Sequence, residues 1–274
     1  MHRRTRSTTG LRALTSLIAA ASISSLALGG VARAADITPT PYSGTASEYI
    51  VRLTGTSRCT GTIYGKNKVV TAAHCIKDFK QVGKVRAGIV VEYKGLKFTP
   101  RFAIWNPNQS LTGANPATDA AILVFDQAFP GPSATIGSRL PASGGVTAVG
   151  FQSTWPDGRL VRPLSYNDKS HLQPGVNVFG WTLTSCPMQV SGFTVSTASV
   201  GGQCGMIPGG SGGPLLVISA GGVQIVGVLS TVNDSLTWNT WASANTIKGV
   251  VNRASGIVVT NLGGPLVGGA PFRS

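Results

Sequence analysis

Pro208-Gly209-Gly210-Ser211-Gly212-Gly213-Pro214 runs into Leu215-Leu216-Val217-Ile218, the turn Ser219-Ala220-Gly221-Gly222 and a second apolar run over residues 223–230. A serine between glycines thus stands ahead of two short strand-like runs parted by turn residues. The same texture extends outward. Runs rich in Val, Ile and Thr occupy residues 49–53, 61–64, 68–72, 85–93, 120–125, 146–151 and 176–183, with turn residues such as Gly65-Lys66-Asn67 between them. With 36 glycines and 16 prolines breaking the chain so often, the pattern predicts an all-β barrel or sandwich protein. A helix is expected late, over residues 244–254, where Ile247, Val250 and Val251 fall at helical spacing.

Residues 1–34 read as an export signal. Arg3, Arg4, Arg6 and Arg12 give a positive start, residues 14–28 are apolar or small, and Ala32-Arg33-Ala34 fits a cleavage site ahead of Ala35. No second stretch is long enough to span a bilayer. The expectation is a secreted, extracellular protein without stable membrane insertion, monomeric by default. Residues 35–44 form a short N-terminal segment, and 45–127 and 146–254 are two strand-rich halves. The Pro- and turn-rich stretch 128–145 is the boundary, and 255–274 is a Gly-rich tail to which the sequence assigns no role.

After the signal, 18 Lys and Arg face nine acids, a net charge of about +9. The lysines between Lys66 and Arg101 are scattered singly, without a basic helix or an array of aromatics. They read as a solvated basic face rather than a nucleic-acid surface. Four cysteines, Cys59, Cys75, Cys186 and Cys204, are an even set in an exported chain and predict two disulfides. Three pairings are possible; the local ones close short loops beside the histidine and serine segments. The spacing lacks any Cys-x-x-Cys or His-x-x-x-His pair, so no metal site is expected, nor any other cofactor.

Two segments upstream complete a chemistry with Ser211. Thr71-Ala72-Ala73-His74-Cys75 supplies an imidazole, and Thr118-Asp119-Ala120-Ala121-Ile122-Leu123 supplies a carboxylate. Serine is a weak nucleophile until a base within hydrogen-bond reach takes its proton, and the base needs an acid to fix its tautomer. Beyond the signal there are only two histidines, His74 and His171; His171 lies among polar residues and reads as a surface loop residue. Asp119 opens an apolar run, so its carboxylate is expected near the core, where it needs a donor partner. Asp126, beside Gln127 and close to Pro130, reads as a turn residue. The glycines around Ser211 allow backbone conformations closed to other residues. They would let the Gly209 and Ser211 amides converge on a developing oxyanion, where such donors contribute about 3–4 kcal/mol.

These segments resemble the chymotrypsin/trypsin-like serine proteases, of a secreted bacterial type. The likeness rests on Thr71–Cys75, the Asp119 segment, Gly209–Pro214, the preceding Cys59 and the run Ile225-Val226-Gly227-Val228-Leu229-Ser230, and it spans roughly residues 45–255. It implies two six-stranded antiparallel β-barrels with the active site in the cleft between them and a C-terminal helix outside. His74 and Asp119 would come from the first barrel and Ser211 from the second. Ser230 would support Asp119 and, with Thr231 and Val232, line the substrate strand, and Cys59 would pair with Cys75.

Two departures shape the expectation. Relatives usually carry an acid just before the nucleophile, which in many binds a new N-terminal ammonium; Gly210 stands there, so activity should not depend on a buried N-terminal ion pair, and only a very short prosegment is available. Lys/Arg-specific relatives carry an acid six residues before the serine. Gly205 stands there instead, and burying a substrate cation without a partner is costly. Leu229 replaces the histidine common in glutamate-cleaving relatives. A neutral pocket for a small or apolar side chain is expected. The resulting reading is a secreted serine endopeptidase acting on protein or peptide substrates through an acyl-enzyme. The alternatives are a catalytically silent binding module on the same fold and a secreted serine esterase.

Overall fold

Short apolar runs with turn residues between them fold into strands. In chain order these are β1 (Thr40–Pro41), β2 (Ile50–Gly55), β3 (Cys59–Tyr64), β4 (Lys68–Thr71), β5 (Ile89–Tyr93), β6 (Leu96–Phe98), β7 (Phe102–Trp105), β8 (Ala121–Val124), β9 (Thr135–Ile136), β10 (Gly145–Thr154), β11 (Gly180–Gln189), β12 (Thr194–Val195), β13 (Ser199–Gln203), β14 (Pro214–Ser219), β15 (Gly222–Val232), β16 (Trp238–Ser243) and β17 (Val258–Asn261). Among the described residues two α-helices accompany them, α1 (Ala73–Ile76) and α2 (Ala244–Val251), with a 3-10 turn at Thr45–Tyr49. The computed structural model describes residues 39–78, 85–106, 115–155, 157–162, 180–190, 193–207, 209–252 and 258–261; the expected signal over 1–34, His171 and most of the tail lie outside them.

The strands form two curled, almost wholly antiparallel sheets, the two-barrel arrangement with a C-terminal helix. The first runs β17-β7-β8-β4-β3-β2-β5-β6 and the second β1-β11-β10-β14-β15-β16-β13-β12, with β9 parallel to β15. Each holds a run of six strands, β7 to β5 in one and β11 to β13 in the other, but short strands extend both beyond six. The extensions tie the halves together. β1 pairs with β11 of the second sheet, whereas β17, at the other end of the chain, pairs with β7 of the first. The boundary stretch is fastened on both sides: Ala134 N–H donates to Ile63 C=O at 2.9 Å, and Gly137 N–H to Ile225 C=O at 2.9 Å.

Local chemistry sets the registers. β5 and β6 meet through Lys94-Gly95, both at positive φ (49° and 80°), the two-residue turn whose twist suits an antiparallel pair. β5 alternates buried Ile89, Val91 and Tyr93 with half-buried Val90 and Glu92, the period of a one-sided strand. The strand expected over 85–93 begins only at Ile89, because Gly88 turns at φ 74° ahead of it. Phe98, Phe125, Phe129 and Tyr93 stack edge-on or tilted in the first sheet's core, with ring centroids 4.4–6.4 Å apart. α2 buries Ala244, Ile247 and Val250, and its N-cap Ser243 accepts from Thr246 N–H. It ends at Val251, three residues short of the expected boundary.

Of the described basic residues between Lys66 and Arg101, Lys66, Lys94 and Lys97 are exposed as a solvated face requires, but not all of them are. Lys77 is 1% exposed. Arg86 donates to the backbone carbonyls of Thr56 and Lys77. Lys94 pairs with Glu48, and Arg101 with Asp126 at 2.9 Å.

Candidate active site

The histidine is presented by a strand that ends in a single helical turn. β4 stops at Thr71, Ala72 remains extended, and α1 follows, closed by Cys75 N–H to Ala72 C=O (3.1 Å) and Lys77 N–H to Ala73 C=O (2.9 Å). One turn has no stability of its own. The Cys59–Cys75 disulfide ties it to the start of β3, and the Ser57 hydroxyl donates to Cys75 C=O at 2.8 Å. The imidazole is left partly exposed, 18% of its side chain.

Pairing of β4 with β8 matches Thr71 to Ala121. Asp119 lies two residues before Ala121 and therefore falls beside α1. Its side chain is wholly buried and accepts three hydrogen bonds: His74 N–H to Oδ1 at 2.8 Å, His74 Nδ1 to Oδ2 at 2.7 Å, and Ser230 Oγ–H to Oδ2 at 2.6 Å. Burial alone works to raise this carboxyl's pKa. The charge of the His74 ring and the hydrogen bonds from that ring, from Ser230 and from the His74 backbone together outweigh burial, and the pKa lies below the usual carboxylate range. The ionised carboxylate accepts from Nδ1–H, which in the neutral ring leaves the lone pair on Nε2. Burial pushes the Lys77 ammonium down, while the nearby Asp119 charge opposes the shift.

Ser230 reaches Asp119 from the other sheet. The β15–β16 register shifts between Leu229 and Thr231, so Ser230 sits at a bulge, a device that re-aims a side chain.

Ser211 occupies a loop made of two tight turns, Gly210 N–H to Ile207 C=O (3.1 Å) and Gly213 N–H to Gly210 C=O (2.8 Å). Gly209 and Gly212 have φ of 108° and 79°, a region only glycine enters without strain. A Cβ on Gly212 would also collide with Thr71 Oγ1 and Thr60 C=O. The loop lies at the junction of the sheets: Thr60 N–H of β3 donates to Ser211 C=O at 2.8 Å, and Gly212 N–H donates to Leu229 C=O of β15 at 2.8 Å. Among the described residues the N–H groups of Gly209 and Ser211 donate to no acceptor. The Ser211 hydroxyl makes no hydrogen bond to His74; the polar contact of Nε2 is Cys75 Sγ at 3.7 Å. The donor atoms of Cys59, His74 and Cys75 lie within 4.8 Å of one another, but the two sulfurs are bonded to each other and lack the thiolate charge that binds a metal.

The residues expected to line the substrate pocket come from a loop and from β15. Gly205 is buried beside Cys204, which bonds to Cys186 of β11. Thr231 and Val232 are half-buried at the end of β15. Between them lies a residue the sequence reading did not single out, Asn239 of β16, paired with Val232 and 0% exposed. Its amide is saturated by backbone: Oδ1 accepts Met206 N–H at 3.0 Å, and Nδ2 donates to Met206 C=O at 3.0 Å and Thr231 C=O at 3.5 Å. A polar residue between Trp238 and Trp241 was the one signal available. Asp126 is exposed, pairs with Arg101 and takes no part in the site. Thr60, whose hydroxyl touches the serine loop, carried no signal in the sequence at all.

The Trypsin family profile matches residues 37–252. Trypsin alpha-4 of Lucilia cuprina is 27% identical over 215 residues, 74% of this chain and 76% of its own length. The crystal structure of the inactive form of Rv3671c from M. tuberculosis H37Rv aligns with a TM-score of 0.47 at 16% identity, over 76% of this chain and 87% of that one. With the family profile spanning most of its length, this chain belongs to the trypsin family.

Proposed function

We propose that the protein is a secreted serine endopeptidase with His74, Asp119 and Ser211 as its catalytic residues. His74 Nε2 takes the Ser211 proton as Oγ attacks the scissile carbonyl, then returns it to the leaving amine. Asp119 holds the imidazole in the required tautomer and balances the imidazolium. The unengaged N–H groups of Gly209 and Ser211 receive the oxyanion. Water, activated by the same histidine, attacks the acyl-enzyme and releases the acid. Ser230, Thr231 and Val232 would pair with the substrate backbone, and the step needs no cofactor.

The observation that carries the reading is the buried Asp119 carboxylate with two hydrogen bonds from His74 and one from Ser230. A buried charge so fully satisfied, next to a partly exposed imidazole with a free Nε2 lone pair, fits a built general base better than a core ion pair. The missing Ser211–His74 hydrogen bond is compatible with a resting site, since such bonds often tighten only with substrate. It is also what a silent binding module would show. Intact mass after fluorophosphonate treatment separates the two. One adduct on the wild type and none on Ser211→Ala is expected; no adduct on disulfide-bonded wild type would overturn the protease reading in favour of the binding module.

A further inference from the structure

The serine loop is gripped from the opposite sheet by one residue. Thr60, wholly buried on β3, makes four hydrogen bonds. Its N–H donates to Ser211 C=O (2.8 Å), and its hydroxyl donates to Gly209 C=O (2.9 Å). That hydroxyl accepts from Phe151 N–H of β10 (2.8 Å), and its carbonyl accepts from Thr71 Oγ1 (2.8 Å), one residue before Ala72 leads into α1.

The bonds fall on alternate peptide planes. The 209–210 plane is held at both ends, its carbonyl by Thr60 Oγ1 and its N–H by Ile207 C=O. The 211–212 plane is likewise held, its carbonyl by Thr60 N–H and its N–H by Leu229 C=O. Between them lies the 210–211 plane, whose carbonyl receives Gly213 N–H and whose N–H, that of Ser211, has no acceptor among the described residues. The loop is rich in glycine and could otherwise rotate these planes at little steric cost. Gly210 offers no side chain that could brace it.

We propose that Thr60 is a positioning residue for the oxyanion-binding amides: its hydroxyl, held by Phe151 N–H of the second sheet, locks the 209–210 peptide plane, and through the Gly209 and Gly210 backbone torsions it restrains the adjoining planes that carry the Gly209 and Ser211 N–H groups. The proposal rests on the serine-protease reading above. Without the hydroxyl, the half-buried Phe151 N–H and the buried Gly209 C=O both lose their partner, a costly state. The 209–210 plane relieves it by turning about the Gly209 and Gly210 backbone bonds, and the turn displaces the adjoining planes that carry the Gly209 and Ser211 N–H groups. Losing one such donor typically lowers kcat by about 10²–10³, and a loosened donor by somewhat less.

The test compares Thr60→Val, Thr60→Ser and Thr60→Ala on a p-nitrophenyl ester, well below each variant's Tm, with phosphonylation rates measured alongside. Thr60→Val should lose roughly 10- to 100-fold in kcat and in phosphonylation rate with KM nearly unchanged, and Thr60→Ser should stay within about threefold of wild type. A residue that only supported the fold would lower Tm and leave kcat of the folded protein alone. Should Thr60→Val fail to fold, Ser and Ala form the decisive pair, since both lack the methyl and only Ser keeps the hydroxyl. Equal kcat in that pair, or wild-type kcat in Thr60→Val, overturns the role of Thr60 while the protease reading stands. A wild type inert to both ester and fluorophosphonate removes both.

Discussion

Asp119 concentrates the energetics of the site in one side chain. Its folded pKa lies below the unfolded value of about 3.9, because His74 and Ser230 outweigh the effect of burial. A depressed carboxyl pKa contributes stability that is full above the unfolded pKa and is lost as pH falls through the folded one. Thermal melts from pH 6 to pH 2 should therefore show a fall in Tm below about pH 4. The fall should be shallower in Asp119→Asn, and parallel curves would remove Asp119 as the acid-sensitive group. The same substitution leaves one acceptor oxygen for two His74 donors; with that oxygen on the His74 backbone N–H, the amide NH2 faces Nδ1 and favours the other tautomer, so kcat should fall by on the order of 10³–10⁴ in the folded variant. Asp119 was legible in the sequence because an acid heading an apolar run must find a donor. Thr60 was not, because a threonine in a strand looks the same whether its hydroxyl is idle or bonded across two sheets.

At the scale of elements, the strands with continuous Val, Ile and Leu were readable and the mixed ones were not. β16 was missed because the buried Asn239 interrupts its apolar run, and β13 because Gly201 and Gly202 remove the β-branched signature. α1 is too short for any periodicity. β17 lies in the tail that the sequence left without a role, yet its backbone completes the ladder along β7 from Val258–Trp105 to Asn261–Phe102. Removing residues 257–274 would leave that edge of β7 unpaired. The truncated protein should melt several degrees lower, at roughly 2–4 °C per kcal/mol lost in a chain of this size. Differential scanning calorimetry checks this, and an unchanged Tm would mean that the β17 ladder adds nothing to stability. Because β8, which carries Asp119 at its head, is paired on both sides without β17 moving the site, kcat of the folded truncation should remain near wild type.

The expected substrate pocket would be a property of the whole molecule. Gly205, Thr231–Val232 and Asn239 are brought together from a disulfide-held loop and two strands, and the one buried amide among them is fully bonded to backbone. Such walls offer no charge to a substrate side chain, and a buried cation or carboxylate without a partner is strongly disfavoured. Cleavage of a peptide library should accordingly favour small or apolar side chains before the scissile bond. A profile dominated by Arg, Lys or Glu would show that a charged group outside this set forms the pocket base.

The sequence by itself determined the strand-rich class, the order His74, Asp119, Ser211 and the family. These rest on local patterns, a glycine-buffered serine and apolar runs of strand length, that keep their meaning without distant partners. Only the tertiary structure decided which residues hold those groups in place. Ser230 meets Asp119 across 111 positions of sequence, and Thr60 meets Gly209 across 149. Hydrogen bonds of that reach depend on how the two sheets are set against each other, and no local pattern records it.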